Sequence, residues 1–190
     1  MIRNDDSNQR YGPTAVALHW LTALLLVAGA TLGLSMVELP LSRQKLQWYA
    51  WHKWIGITIF LLTCARLAWR MGHPAPGQPE SIPGWQRNAA WIGHAALYGL
   101  LLLIPLSGWL YSSAAGVQVV YLGLFPLPDL VAKDKALADA LRATHVALNF
   151  TLLCLVCVHS AAALWHHFVD RDSVLKRMLP RSWILRAKDF

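Results

Sequence analysis

The chain of 190 residues is 56% hydrophobic and only 14% charged, with a mean hydropathy of +0.38. That balance excludes an ordinary soluble domain and points to an integral membrane protein. The formal charge of +7 is scattered around the ends of apolar stretches and is not gathered with aromatics on a soluble domain, so nucleic-acid binding is not indicated.

Residues 1–12 form a short polar tail of mixed charge, expected to be disordered. Pro13 suits the first turn of a helix, where its missing N–H costs nothing. The first apolar stretch, about 14–36, exceeds a typical signal-peptide core and contains His19, so it is expected to be retained as a span. A short connection with Pro40 then returns the chain antiparallel into a second span, about 48–69. This span opens on WYAWHKWIG, which puts His52 near its outer end among tryptophans that mark the membrane interface. Arg66 follows fourteen residues later on nearly the same helix face.

The segment MGHPAPGQPESIPG is rich in Pro and Gly and reads as an extended linker, with His73 simply solvated. The third span, about 88–111, has His94 near its start and Pro105, Ser107 and Gly108 further on. Such a break is tolerated where hydroxyls or neighbouring helices satisfy the loosened carbonyls. The longest connection, 112–140, contains DLVAKDKALADALR, expected as a short amphipathic surface helix. The fourth span, about 141–168, carries His145 and His159, and the basic tail 169–190 is expected to lie along anionic headgroups. A soluble four-helix bundle is the alternative, but it would need a polar stripe on each helix, and these stretches are apolar nearly all round.

Eleven of the seventeen basic residues fall on the side of the N-terminus if it is cytoplasmic, which favours both termini inside. The three cysteines, Cys64, Cys154 and Cys157, lie within spans and imply no disulfide framework. CLVCVH resembles a covalent haem-attachment motif, but Val158 stands where the histidine should be, so any haem would be non-covalent and of b type.

His145 and His159 are fourteen residues apart, which places both imidazoles on one face, within about 40° and about 21 Å apart along the axis. With four antiparallel crossings, His19 can meet His159 on the inside and His52 can meet His145 on the outside. Two bis-histidine haem sites follow, with both axial positions filled, which favours electron transfer over oxygen binding. Interhelical hydrogen bonding is the simpler role for any single histidine, but four at matched depths favour ligation. His94 competes for the inside site, or else is a hydrogen-bonding or quinone-adjacent residue. Gly29, Gly33, Gly56 and Gly108 would allow close approach of a haem edge, though small residues also pack bare helices. Arg66 could pair with the inner haem's propionates or snorkel to the headgroups. His166, seven residues past His159, is too shallow for the same iron, and it is nominated with His167 as a quinone contact.

The landmarks HW at His19 and Trp20, WHKWIG with downstream Arg66, IGHAALYGLLLLIPLSGWL, and HVALNF followed by HSAAALWHHF resemble the bacterial cytochrome b561 family over nearly the whole chain. The resemblance implies an all-α integral membrane four-helix antiparallel bundle, a single domain over 1–190 in the inner membrane, holding two haem b groups. It also implies electron exchange with quinone. Relatives of this size look like superoxide oxidases, which oxidise periplasmic superoxide and reduce ubiquinone, and ubiquinone would then be a bound substrate. The alternative is a cytochrome b subunit linking a dehydrogenase, hydrogenase or soluble redox partner to quinone. Lys53, Arg43, Lys133 and Arg142 on the outer side would attract a small anion, or an acidic redox partner equally well. A homo-oligomer is compatible with this reading.

Overall fold

The computed structural model describes residues 10–77 and 82–180. Residues 1–9 of the expected disordered tail, the middle of the Pro-rich linker, and the basic residues Arg3, Arg181, Arg186 and Lys188 lie outside the described residues, whereas Arg10, within that tail, is held in place by hydrogen bonds. Four long helices dominate: α1 (Pro13–Glu38), α2 (Arg43–Gly72), α3 (Gly84–Ala114) and α4 (Lys135–Phe168). Each is long and apolar enough to cross a membrane, and the chain is a multi-pass membrane protein.

Local chemistry explains where the helices begin. Pro13 opens α1, Ser42 caps α2 by accepting from the Lys45 amide at 3.2 Å, and Asp134 caps α4 by accepting from the Leu137 amide at 3.0 Å. Capping by Asp134 also changes one expectation. The segment foreseen as a separate amphipathic surface helix is instead the first turns of α4, since no breaker stands between Lys135 and Leu141. The Lys45 ammonium donates to the carbonyls of Val37 and Leu39 at 3.3 and 2.6 Å, which satisfies the last carbonyls of α1.

Close packing runs α1 on α2, α2 on α3 and α3 on α4. Large apolar side chains such as Leu24, Val27, Leu61, Ile92, Phe150 and Val158 are exposed, as lipid-facing groups must be. The three cysteines are free and exposed on the same lipid-facing surface.

The end of the bundle away from the described termini, called the outer end after the expected topology, is tied by a loop that includes a small antiparallel hairpin, β1 (Val120–Tyr121) and β2 (Phe125–Pro126). The Trp54 indole donates to the Val120 carbonyl at 2.8 Å, and the Trp109 indole to the Pro128 carbonyl at 3.1 Å. Thr58 and Tyr121 share a hydroxyl bond at 3.0 Å. On the inner end, residues past α4 fold back to α1: Arg10 donates to the Lys176 and Leu179 carbonyls, and the Trp20 indole to the Met178 carbonyl at 2.8 Å. That part of the tail is therefore held against the protein by main-chain contacts.

Gly116 follows α3 at a φ of +72°, and a Cβ there would lie 2.9 Å from Lys133 Cδ. Gly116→Ala should therefore cost about 1–2 kcal/mol. Intrinsic tryptophan fluorescence during heating in detergent would register this as a melting temperature lower by a few degrees, with helix content unchanged.

Candidate haem-binding sites

Two imidazole pairs face each other across the bundle, both using α4. His52 on α2 and His145 on α4 have ring centres 6.2 Å apart, with planes crossing at 85°. His19 on α1 and His159 on α4 have ring centres 6.4 Å apart, with planes crossing at 66°. Two iron–imidazole bonds of about 2.0–2.1 Å, plus about 1.1 Å from each donor nitrogen to its ring centre, span about 6.3 Å. Both pairs match that span. His94 on α3 lies 5.4 Å from His159, about 1 Å too short for a shared iron by the same reckoning.

The outer pair is oriented by main-chain carbonyls. His52 Nδ1–H donates to the Gly29 carbonyl on α1 at 3.0 Å. His145 Nδ1–H is directed at the Ile104 carbonyl on α3 at 3.1 Å and at Ser107 Oγ at 3.0 Å, whose own proton goes to Ile104. A carbonyl can only accept, so each Nδ1 carries the proton and each Nε2 keeps its lone pair for a metal. Neither anchor was foreseen, although Pro105 and Ser107 were read as a place where hydroxyls or a neighbouring helix would satisfy the backbone. Ser107 and His145 do meet at the carbonyl of Ile104, although the carbonyl that Pro105 deprives of a helical donor is that of Leu101.

Glycines make this approach possible. A Cβ at Gly33 would lie 3.1 Å from His52 Cε1, and one at Gly108 would lie 3.0 Å from His145 Cε1. Gly29 sits 3.1 Å from Ile55 by the same measure, and a Cβ at Gly56 would meet nothing within 4 Å. Gly56 lines two clefts, open on one side, that flank the His52 and His145 pair and share both histidines as lining. A flat macrocycle between the imidazoles would extend into both, so the residues present fit a haem.

At the inner end, Arg66 holds its guanidinium 5.3 Å from the centre of the Tyr98 ring. It is also within electrostatic reach of His19, His94 and His159. His166 Nδ1 lies 2.6 Å from Asp172 and 3.3 Å from Asp170. Neither carboxylate partner was anticipated: Asp170 stands four residues after His166, and Asp172 follows Arg171, which takes a φ of +52° in the turn after α4. His167 Nδ1 is buried with no hydrogen-bond partner among the described residues. Of the outer cations, Lys135 is paired with Asp139 at 2.7 Å, whereas Arg43, Lys133 and Arg142 are exposed and Lys53 lines the outer cleft.

A bundle with imidazole pairs at two depths of four membrane helices defines a membrane cytochrome. The family model described as prokaryotic cytochrome b561 matches residues 10–181, and the chain belongs to that family. It is 39% identical over 178 residues to cytochrome b561 homolog 2 of Escherichia coli (strain K12), covering 92% of this chain and 93% of the relative. It is 29% identical over 175 residues to cytochrome b561 homolog 1 of the same organism, covering 90% and 98%. It is also 29% identical over 182 residues to the probable superoxide oxidase CybB of Yersinia pestis, covering 92% and 98%. Membership implies b-type haem and electron transfer.

Gly108→Val would push the added side chain into the His145 ring. Purified variant should contain less haem per chain than wild type, with helix content by circular dichroism unchanged. Undiminished haem would mean that the ring can move aside without losing its function.

Proposed function

We propose that the protein is a dihaem superoxide:quinone oxidoreductase, with His52 and His145 holding an outer haem and His19 and His159 an inner one. The supporting observation is the pair of imidazole separations, 6.2 and 6.4 Å, at two levels of one helix. Each b haem, when bound, supplies a reversible one-electron couple at iron. In the net reaction, two superoxide ions each lose one electron and leave as dioxygen on the outer side. One ubiquinone gains those two electrons and two protons on the inner side to become quinol.

The protein's part is position and charge. The Gly29 and Ile104 carbonyls hold the outer imidazoles in the tautomer that offers Nε2. Gly33 and Gly108 let those rings approach, and Arg43, Lys133 and Arg142 raise the local concentration of a small anion at the outer surface. Arg66 provides a positive charge beside the inner pair, where a haem carboxylate would need one. Quinone would enter from lipid beside His166, whose Nδ1 donates to Asp172, leaving Nε2 to accept a hydrogen bond from the hydroxyl of the quinol that forms. His167 and His94 are the next candidates for that contact. Both termini lie on the cytoplasmic side, as the distribution of basic residues favours. That the Yersinia pestis relative carries the name probable superoxide oxidase adds support for the substrate.

Exposing the purified, haem-loaded protein to a steady flux of superoxide should reduce its b-type spectrum, and added quinone should reoxidise it. A spectrum that stays oxidised would remove superoxide as the donor. Co-purification of a dehydrogenase or soluble cytochrome would then favour an electron-transfer subunit. Alanine replacement of His19, His52, His145 or His159 should each remove one of two haems, whereas His94→Ala should keep both. Retention of both haems by His145→Ala would overturn the outer site.

A further inference from the structure

The two clefts beside His52 and His145 differ in chemistry. One is lined by Leu26, Ile55, Ile59, Leu101, Leu152 and Leu153, with Asn149 as its polar side chain apart from the histidines. The other is lined by Tyr49, Lys53, Tyr111 and Ser112, together with Met36 and Trp109. Lys53 is the lysine or arginine of either lining, it is half-buried, and its charge lies within reach of His52. A b haem has the same asymmetry, with methyl and vinyl groups around most of its rim and two carboxylates on one edge. Burying a carboxylate without a counter-charge is costly, whereas pairing it with an ammonium in a half-buried cleft is favourable.

Resting on the outer haem site proposed above, we infer that Lys53 is the counter-ion for a carboxylate of the outer haem. It turns the carboxylate edge toward the outer surface and the apolar edge toward the middle of the bundle. The orientation follows from the linings: reversing the ring would place two carboxylates among Leu26, Ile59, Leu152 and Leu153 and leave Lys53 facing methyl groups. Lys45 and Lys135 already have partners, at the end of α1 and at Asp139, and Arg43, Lys133 and Arg142 are exposed at the surface. Lys53 is thereby a positioning residue: it sets the rotation and the potential of the group that the histidines hold.

Spectroelectrochemical titration of the full-length haem-loaded protein, beside Lys53→Met and Lys53→Arg, tests this. The outer haem's signal is assigned from the spectrum lost in His52→Ala. Lys53→Met should lower the outer midpoint potential, because removing a nearby cation favours the ferric state, and should leave the inner potential unchanged. It should also speed loss of the outer haem to excess apomyoglobin by roughly tenfold, the loss expected for one charge-assisted bond. Lys53→Arg should restore both. Unchanged potentials and haem loss in Lys53→Met would overturn the assignment, and slower reduction by superoxide alone would place the cation on the substrate instead. Fewer than two haems in wild type would instead defeat the dihaem reading itself, a result visible before any variant is compared.

Discussion

Everything in this molecule depends on how an imidazole is held inside lipid. An unsatisfied ring N–H at that depth costs about 1–3 kcal/mol, and no water is present to relieve it. At the outer site the cost is avoided by giving Nδ1–H to a main-chain carbonyl of the next helix: Gly29 for His52, and Ile104 for His145. The consequence is chemical as well as structural. Once the δ proton is committed, the ε nitrogen is an obligate acceptor with its lone pair available to a metal.

That constraint shapes the bundle around it. α1 supplies a carbonyl to His52 on α2, and α3 supplies one to His145 on α4, so the closely packed pairs α1 with α2 and α3 with α4 each carry an anchored imidazole. The two imidazoles then face one another across the space between these pairs, where Gly56 adds no side chain and clefts open on either side. The hairpin and the indoles of Trp54 and Trp109 close the outer end. Arg10 and Trp20 bind the inner end to the segment that follows α4. Rigid ends hold two facing rings at a fixed separation, which an electron-transfer site with little reorganisation requires.

Much of this was legible in the residues. Apolar stretches long enough to span a bilayer set the four helices, and the fourteen-residue interval from His145 to His159 put two rings on one face. Antiparallel crossing then told which partners share a depth, because a helix repeats its face on a fixed angle. What the residues concealed has equally definite causes. The hairpin is only half marked: Gly123, at a φ of +72°, supplies one left-handed position of the turn, but Leu122, at +53°, occupies the other, where Asn or Gly is the usual signal. The start of α4 was misread because an amphipathic stretch continuous with an apolar one has no boundary other than its cap. The carbonyl anchors of His52 and His145 are contacts between elements 23 and 41 residues apart, and a main-chain acceptor leaves no mark on residue type. Asp172 lies beyond Arg171, whose left-handed backbone its identity does not advertise, whereas Asp170 stands four residues after His166, a helical spacing that was there to be read.

The central claim is that one helix presents two imidazoles to two irons, each shared with a different neighbour. It is tested most directly by the haem-to-chain ratio of purified wild-type protein, read with the low-temperature paramagnetic resonance of its oxidised form. Two haems per chain, both low-spin with imidazole on each side, are predicted. A ratio of one, or a high-spin centre with an open axial position, would contradict the account.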